Sequence, residues 1–203
     1  MQNSAQECEL NLNVRYLLWQ AQGQKVHGTW GDRLQAWSEL LATWLVCSSG
    51  RAKQILYGRE RLNQGDLTTL QKNLTMDDDR FMAFQNTRLC QVEGCSIWQE
   101  NIVFLLTTLQ HGRYQELAEY LKIDRATLSK WKSKITKARS SHKEKLRIFF
   151  GISPEIDLEQ YPLFLSIEPF SIAEKKQHLK DKIDALDEEV CTQLFPALEK
   201  LLS

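Results

Sequence analysis

The chain has 203 residues, balances 26 Lys and Arg against 26 Asp and Glu, and is 42% hydrophobic with six Trp. This length allows one large or two small domains, and the apolar content can form a buried core, which argues against global disorder. The sequence has no apolar run long enough to span a membrane and no N-terminal secretory pattern, so we expect a cytoplasmic protein with no membrane contact.

The five cysteines are odd in number and scattered, which is typical of free thiols in a reducing compartment. Cys90 and Cys95 could form half of a zinc site, but no second close pair accompanies them, so no metal site is expected. Phosphate-loop, Gly-x-Ser-x-Gly and His-Glu-x-x-His motifs are missing. The acidic run at 77–79 fits a loop and helix cap. We therefore expect a non-enzyme with no catalytic residue and no cofactor.

The first half of the chain contains two apolar spacings typical of short helices. Leu41 and Leu45 are one helical turn apart, and Ala52 and Ile55 are three residues apart, so these pairs are predicted to face one core. Polar, small and basic residues lie on the second helix or just after its end, and they are suited to contact with DNA bases or phosphates. This first candidate set is Ser49, Gly50, Arg51, Lys53, Gln54, Arg59 and Arg61.

Two short segments alternate apolar and polar residues, as a strand does. The first leads into Ser96 and Gln99, which match a capping box and predict a helix start. The second spans 164–174 and leads into an equivalent pair, Ser171 and Glu174. We interpret the first segment, at 88–95, as an extended linker.

The segment 113–147 holds eleven basic and only four acidic residues. Leu117 and Leu121 are one helical turn apart, and Leu128 and Trp131 are three residues apart, so two short helices are predicted to meet at a tight turn. A charge run of this kind can simply be a solvated helix face.

The second of these helices carries the strongest signal for nucleic acid. Asp124 can cap its start, and its exposed residues are small, polar or basic, which suits a helix in the DNA major groove. The second candidate set is Arg113, Tyr114, Arg125, Ala126, Thr127, Ser129, Lys130, Lys132, Lys134 and Lys137. The expected phosphate contacts are Lys132, Lys134, Lys137, Arg139 and Lys143.

The two halves form an internal repeat. A shift of 76 residues aligns Leu41 with Leu117 without a gap, and "NVRYLL" at 13–18 resembles "NIVFLL" at 101–106 with an offset of 88. The larger upstream offset implies extra residues in the first copy, and the glycines at 22–32 indicate that these form a loop. The pattern predicts two tandem modules.

The segment "ELAEYLKIDRATLSKW" resembles the helix-turn-helix of the lambda-repressor-like (Cro/C1, XRE) family. The apolar positions of that pattern are occupied by Leu117, Ala118, Ile123, Leu128 and Trp131. Lys132 and Lys134 stand where the family usually has Glu and Gly, whereas Gly58 of the first copy occupies the Gly position. The resemblance implies a sequence-specific double-stranded DNA-binding protein, most simply a bacterial or phage transcriptional regulator.

The predicted fold is mainly α, with two tandem lambda-repressor-like modules, short extended segments and a C-terminal amphipathic helix. Its parts are a first module at 1–87, the extended linker at 88–95, a second module at 96–170 and the C-terminal helix at 171–203. The apolar residues of that helix recur every three or four positions, with an interruption expected near Pro196. They would pack on the second module or on a second copy of the chain in a homodimer.

An alternative function is a helix-turn-helix adaptor or protein-interaction subunit of a toxin–antitoxin, mobile-element or phage-defence system. The neutral overall charge favours this alternative, because many DNA-binding domains are basic throughout. The exposed polar residues of the first candidate set favour DNA instead, since a protein partner would more often meet apolar residues there.

Overall fold

The computed structural model describes residues 2–23, 30–109, 112–169 and 172–202. Within these residues the chain is mainly α-helical and contains no β-strand, which confirms the predicted fold class at that level. Most of the loop predicted at 22–32 lies outside the described residues, and so does Ser171 of the second capping box.

The described helices follow one another with short connections. They are α1 (Gln2–Ala21), α2 (Trp30–Leu45), α3 (Ser49–Leu56), α4 (Gln64–Asn73), α5 (Asp78–Asn86), α6 (Leu89–Val92), α7 (Ile97–Thr108), α8 (Arg113–Leu121), α9 (Arg125–Lys132), α10 (Lys143–Phe149), α11 (Ile172–Asp184) and α12 (Glu188–Leu202). Two short 3-10 turns, Ser140–His142 and Leu163–Leu165, complete the secondary structure.

Side-chain caps define several helix starts. Asp77 accepts a hydrogen bond from the Arg80 amide at 2.8 Å and caps α5, as expected for the acidic run. Ser96 accepts from the Gln99 amide at 3.5 Å, and α7 begins at the next residue, as the capping-box pattern predicts. Each cap satisfies an amide that the helix itself leaves unbonded.

The expectation of short extended segments is wrong at both places. Leu89–Val92 within the predicted linker is one turn of helix, and Leu163–Leu165 is a 3-10 turn. Leu89 and Cys90 are adjacent and both buried, a pattern that a half-exposed strand cannot produce. So short an apolar run does not distinguish strand from helix.

The described core divides into two apolar clusters. The larger cluster combines α1–α6 with parts of the second half, where Trp19 contacts Phe164 with ring centroids 4.7 Å apart. The smaller cluster lies between α7, α8, α9 and α10 and contains Leu117, Leu128 and Trp131. The shared larger cluster holds the first half (residues 2–95) against the second half (residues 96–169).

Left-handed backbone positions recur at the spacing of the sequence repeat. Three pairs lie 76 residues apart: Val46 and Lys122 with φ of 54° and 58°, Gly58 and Lys134 with φ of 69° and 59°, and Thr75 and Gly151 with φ of 50° and 63°. Lys134 thus adopts the left-handed backbone conformation of Gly58, although it carries a side chain. The backbone therefore adopts left-handed conformations at equivalent positions of the two halves.

The tail (residues 172–202) forms two helices and packs in part on the first half. The helix is broken at 185–187, and Pro196 lies inside α12. His178 of α11 contacts the Trp30 ring of the first half edge-on, with ring centroids 4.7 Å apart. The apolar side chains Leu179, Ile183, Val190, Leu194 and Phe195 are all exposed.

Candidate nucleic-acid interface

The turn between α8 and α9 consists of three residues, 122–124. Lys122 ends α8 in a left-handed conformation, and the Asp124 carboxylate accepts a hydrogen bond from the Thr127 amide at 2.6 Å. That bond is the largest cause of the lowered pKa of Asp124. Leu121 and Leu128 are buried on either side of the turn, so the two helices pack together and α9 presents its opposite face to solvent.

A concavity of about 650 Å³ lies along the exposed face of α9. It brings together five residues predicted from the sequence, namely Tyr114, Arg125, Ala126, Ser129 and Lys132. Gly112 and Gln115 also line it and were missed, although Gln115 directly follows Tyr114 at the start of α8. Thr127 is only half-exposed, and its amide donates to the Asp124 cap. The short side chains of Ala126 and Ser129 leave the α9 backbone accessible.

Four cations on or just after α9 form what we term the basic face: Arg125, Lys130, Lys132 and Lys137. All four are exposed, and none lies within salt-bridge distance of a carboxylate among the described residues. The Lys132 ammonium lies 5.7 Å from the centre of the Tyr114 ring, and both residues line the concavity. The charges of the basic face are therefore free to meet phosphate groups.

Three other predicted cations of this half, Lys134, Lys143 and Arg113, are already paired. The Lys134 ammonium lies 2.7 Å from Glu100, and Lys143 lies 3.1 Å from both Asp157 and Glu159. Arg113 bonds Glu116 at 3.0 Å, and its guanidinium also lies 4.6 Å from the Phe149 ring centre. These ion pairs neutralise some of the cations predicted from the sequence to contact phosphates.

His142 lies beside Trp131 of α9 and has a lowered pKa. Its ring packs 5.3 Å from the Trp131 ring. Burial lowers the pKa of His142, and the nearby charges of Lys145 and Arg139 lower it further. The neutral imidazole is favoured here because burial disfavours the charged form, and the two nearby cations add to this effect.

In the first half, Arg51 has a structural partner set. Its guanidinium forms two hydrogen bonds to Asp66, at 2.9 and 2.8 Å, and a third to Glu60. These bonds raise the pKa of Arg51, and the bond from Arg51 is the main cause of the lowered pKa of Asp66. Asp66 is only 7% exposed, so Arg51 ties α3 to the start of α4.

The remaining residues of the first candidate set separate into two groups. Ser49, Gly50 and Gln54 are exposed on α3, and Arg61 is exposed beyond it. Lys53 and Arg59, by contrast, line a second concavity that is completed by α11 of the tail. The structure therefore does not assemble the first set into one surface equivalent to the basic face.

The cysteine pair carries no activated thiol. Burial raises the pKa of Cys95 to about 12, with the Glu100 charge as the next cause, and burial also raises the pKa of Cys90. Both therefore remain protonated near neutral pH. Cys47, Cys90, Cys95 and Cys191 are free.

In comparisons with known proteins, no family model, curated protein or solved structure matches the chain. Across the described residues, no helix combines the length and the apolarity needed to cross a membrane.

Proposed function

We propose that the chain is a sequence-specific double-stranded DNA-binding protein with two tandem lambda-repressor-like modules, acting as a bacterial or phage transcriptional regulator in the cytoplasm. The observation that carries this proposal is the basic face, whose four exposed cations have no carboxylate partner among the described residues. Phosphates of a duplex would supply the missing counter-charges, since neutralised phosphates release bound counterions.

The backbone geometry supports the tandem arrangement. The three left-handed pairs spaced by 76 residues fall at matching turns of the two halves. In addition, Ser48 and Asp124 cap α3 and α9 in the same way, each accepting from the amide three residues later. Matching caps and turns at a fixed spacing are what a duplicated helix-turn-helix unit requires.

Within the second module, α9 has the features of a recognition helix. Arg125 is exposed at its first position, where a guanidinium can bond guanine O6 and N7 together. Ala126 and Ser129 keep the helix face narrow enough for a groove. Lys132 and Lys137 follow as phosphate contacts. The paired Lys134 is assigned to the fold through Glu100.

The side chains on α9 also bear on the adaptor alternative. Protein interfaces bury an apolar, often aromatic, centre. The exposed positions of α9 are Arg125, Ala126, Ser129, Lys130 and Lys132. This composition favours a nucleic-acid partner over a protein for this surface.

The first module would read DNA differently from the second. Because Arg51 is engaged by Asp66 and Glu60, base contacts there fall to Ser49, Gly50 and Gln54. If both modules dock on one DNA face, their half-sites lie roughly 34 Å apart, about one helical turn. One chain would then recognise an asymmetric sequence.

The exposed apolar face of the tail supports a homodimer as a second part of the proposal. Five large apolar side chains on α11 and α12 are in contact with solvent. Several exposed large apolar side chains on neighbouring helices are typical of an interaction site. A second copy of the tail offers the same stripe and so matches it in length and character.

Selection from a randomised duplex pool tests the DNA proposal. We expect wild type to select a defined motif and Arg125→Ala to lose preference at one half-site, where a bidentate contact discriminates by about 1–3 kcal/mol. Gln54→Ala should relax only the other half-site. Lys137→Gln is the matched control, because loss of a phosphate contact weakens binding to all sequences without changing the motif. Failure of wild type to enrich any sequence would instead favour the adaptor function.

A further inference from the structure

A second concavity, of about 520 Å³, lies between the end of α3 and helix α11. Four cations line it: Lys53 and Arg59 from the first half, and Lys175 and Lys182 from the tail. Trp30 and Tyr57 add two aromatic rings to its wall. Its volume falls in the range of sites for small organic ligands, roughly 300–1,000 Å³.

The cations of this α3–α11 cavity are not balanced within the chain. None of the four forms a salt bridge with a described residue. Among the described residues, Glu168 is the single carboxylate that lines the cavity, so one negative charge opposes the four cations there. Like charges held close together repel one another, and an anion bound between them would relieve that repulsion.

The spacing on α11 directs its cations to the same side. Lys175, His178 and Lys182 lie three and four residues apart, which places them on one face of the helix. Lys176 and Lys180 of the same helix are exposed but do not line the cavity. The basic lining is thus a property of one helix face rather than of the tail as a whole.

The aromatic residues provide flat apolar surface next to the cations. The Arg59 guanidinium lies 4.8 Å from the centre of the Tyr57 ring. Trp30 is half-buried and meets the His178 ring edge-on at an interplanar angle of 89°. A ligand with both an anionic part and a planar ring would use the two kinds of surface together.

We propose that the α3–α11 cavity binds a nucleotide with two or more phosphate groups. The phosphates would lie among Lys53, Arg59, Lys175 and Lys182, and the base would lie against Trp30. This inference does not depend on DNA binding, since its residues are separate from the basic face. It also gives α11 a role, because a bound phosphate chain would join the tail to the first half.

Titration calorimetry on the full chain with AMP, ADP, ATP and tripolyphosphate tests the assignment. We expect affinity to rise from AMP to ATP as phosphates are added. Lys175→Gln/Lys182→Gln should weaken ATP binding at least 10-fold, whereas the matched control Lys176→Gln/Lys180→Gln should change it less than 2-fold. Equal weakening by both double variants would show diffuse attraction and overturn the site.

Trp30→Leu separates a nucleotide from inorganic polyphosphate. It should weaken ATP at least 5-fold and leave tripolyphosphate unchanged. Tripolyphosphate binding as tight as ATP, with no effect of Trp30→Leu on either, would overturn the nucleotide assignment, as would no detectable binding of ATP. Lys132→Gln/Lys137→Gln, which impairs the proposed DNA interface, should retain full ATP affinity, so failure of one proposal is distinguishable from failure of the other.

Discussion

Asn13 of α1 and Asn101 of α7, both buried, make the same three hydrogen bonds in the two halves. The Asn13 side chain donates to the carbonyls of Phe84 and Thr87, at 2.8 and 2.6 Å, and accepts from the Leu89 amide at 2.8 Å. The Asn101 side chain donates to the carbonyls of Leu158 and Tyr161, both at 2.7 Å, and accepts from the Phe164 amide at 3.3 Å. In each half, the asparagine lies on the first helix and its hydrogen bonds hold the last segment of that half against this helix.

Removal of either asparagine side chain should be costly. We expect Asn101→Ala and Asn13→Ala each to lower the free energy of unfolding by about 2–4 kcal/mol, because buried backbone groups lose their partners. Urea denaturation measures this. Asn86→Ala is the control: that side chain is exposed and bonds only the Met82 carbonyl, so its loss should cost less than about 0.5 kcal/mol. If either substitution lowers the free energy of unfolding as little as Asn86→Ala does, these hydrogen bonds do not stabilise the fold.

Val46 offers a site for stabilisation. It has a left-handed φ of 54°, which disfavours a β-branched residue, and it is 83% exposed, so it contributes little packing. Val46→Gly should raise the free energy of unfolding by about 1 kcal/mol through relief of this strain. Val92→Gly is the control, because Val92 is also exposed but ends helix α6. It should destabilise, and equal effects in thermal denaturation would rule out backbone strain at Val46.

The lowered pKa of His142 should make stability depend on pH. The unfolded chain binds a proton on this group near pH 6.5, whereas the folded chain binds it only at lower pH. The free energy of unfolding should therefore fall as the pH drops below about 7. His142→Gln should reduce the decline between pH 7.5 and 5.5, measured by urea denaturation at each pH.

Lys145→Gln refines the same test. It should flatten the decline only in part, because burial and not Lys145 is the largest cause of the shift. If His142→Gln leaves the pH profile unchanged, protonation of His142 does not contribute to it.

Salt dependence should identify the phosphate contacts of the basic face. Each contact contributes a log–log slope of about −0.9, so Lys132→Gln/Lys137→Gln should flatten the slope by about 1.8. Fluorescence anisotropy with a labelled duplex over a range of salt concentrations measures it. The control Lys72→Gln/Lys176→Gln removes two exposed lysines from α4 and α11. An equal change in both would indicate that net charge alone governs binding.

The tail should control the oligomeric state. We expect the full chain to be a dimer and a chain ending at Pro169 to be a folded monomer, because the exposed apolar face lies beyond that residue. Light scattering gives the mass, and circular dichroism checks the fold. Leu194→Glu/Phe195→Glu should also give a monomer, whereas Glu188→Gln/Glu189→Gln, on the same helix, should not. Equal mass of the full and truncated chains would exclude the tail as the interface.

Local spacing in the sequence was sufficient to predict the helix pairs and the Asp124 cap of α9, but the Ser48 cap of α3 was not predicted. Leu117, Leu121, Leu128 and Trp131 are buried as their spacing indicates, and Asp124 caps α9. These features depend on residues within one or two helical turns of each other, so few alternative arrangements compete with them.

The pairing of charges, in contrast, required the folded chain. Arg51 of α3 reaches Asp66 of α4 across 15 residues, and Lys143 of α10 reaches Asp157 in the following loop across 14, because the fold brings these side chains together. The same holds for the α3–α11 cavity, whose walls come from opposite ends of the chain. The distances between helices decide which cations remain available to a ligand. The spacing of residues within one helix does not determine those distances.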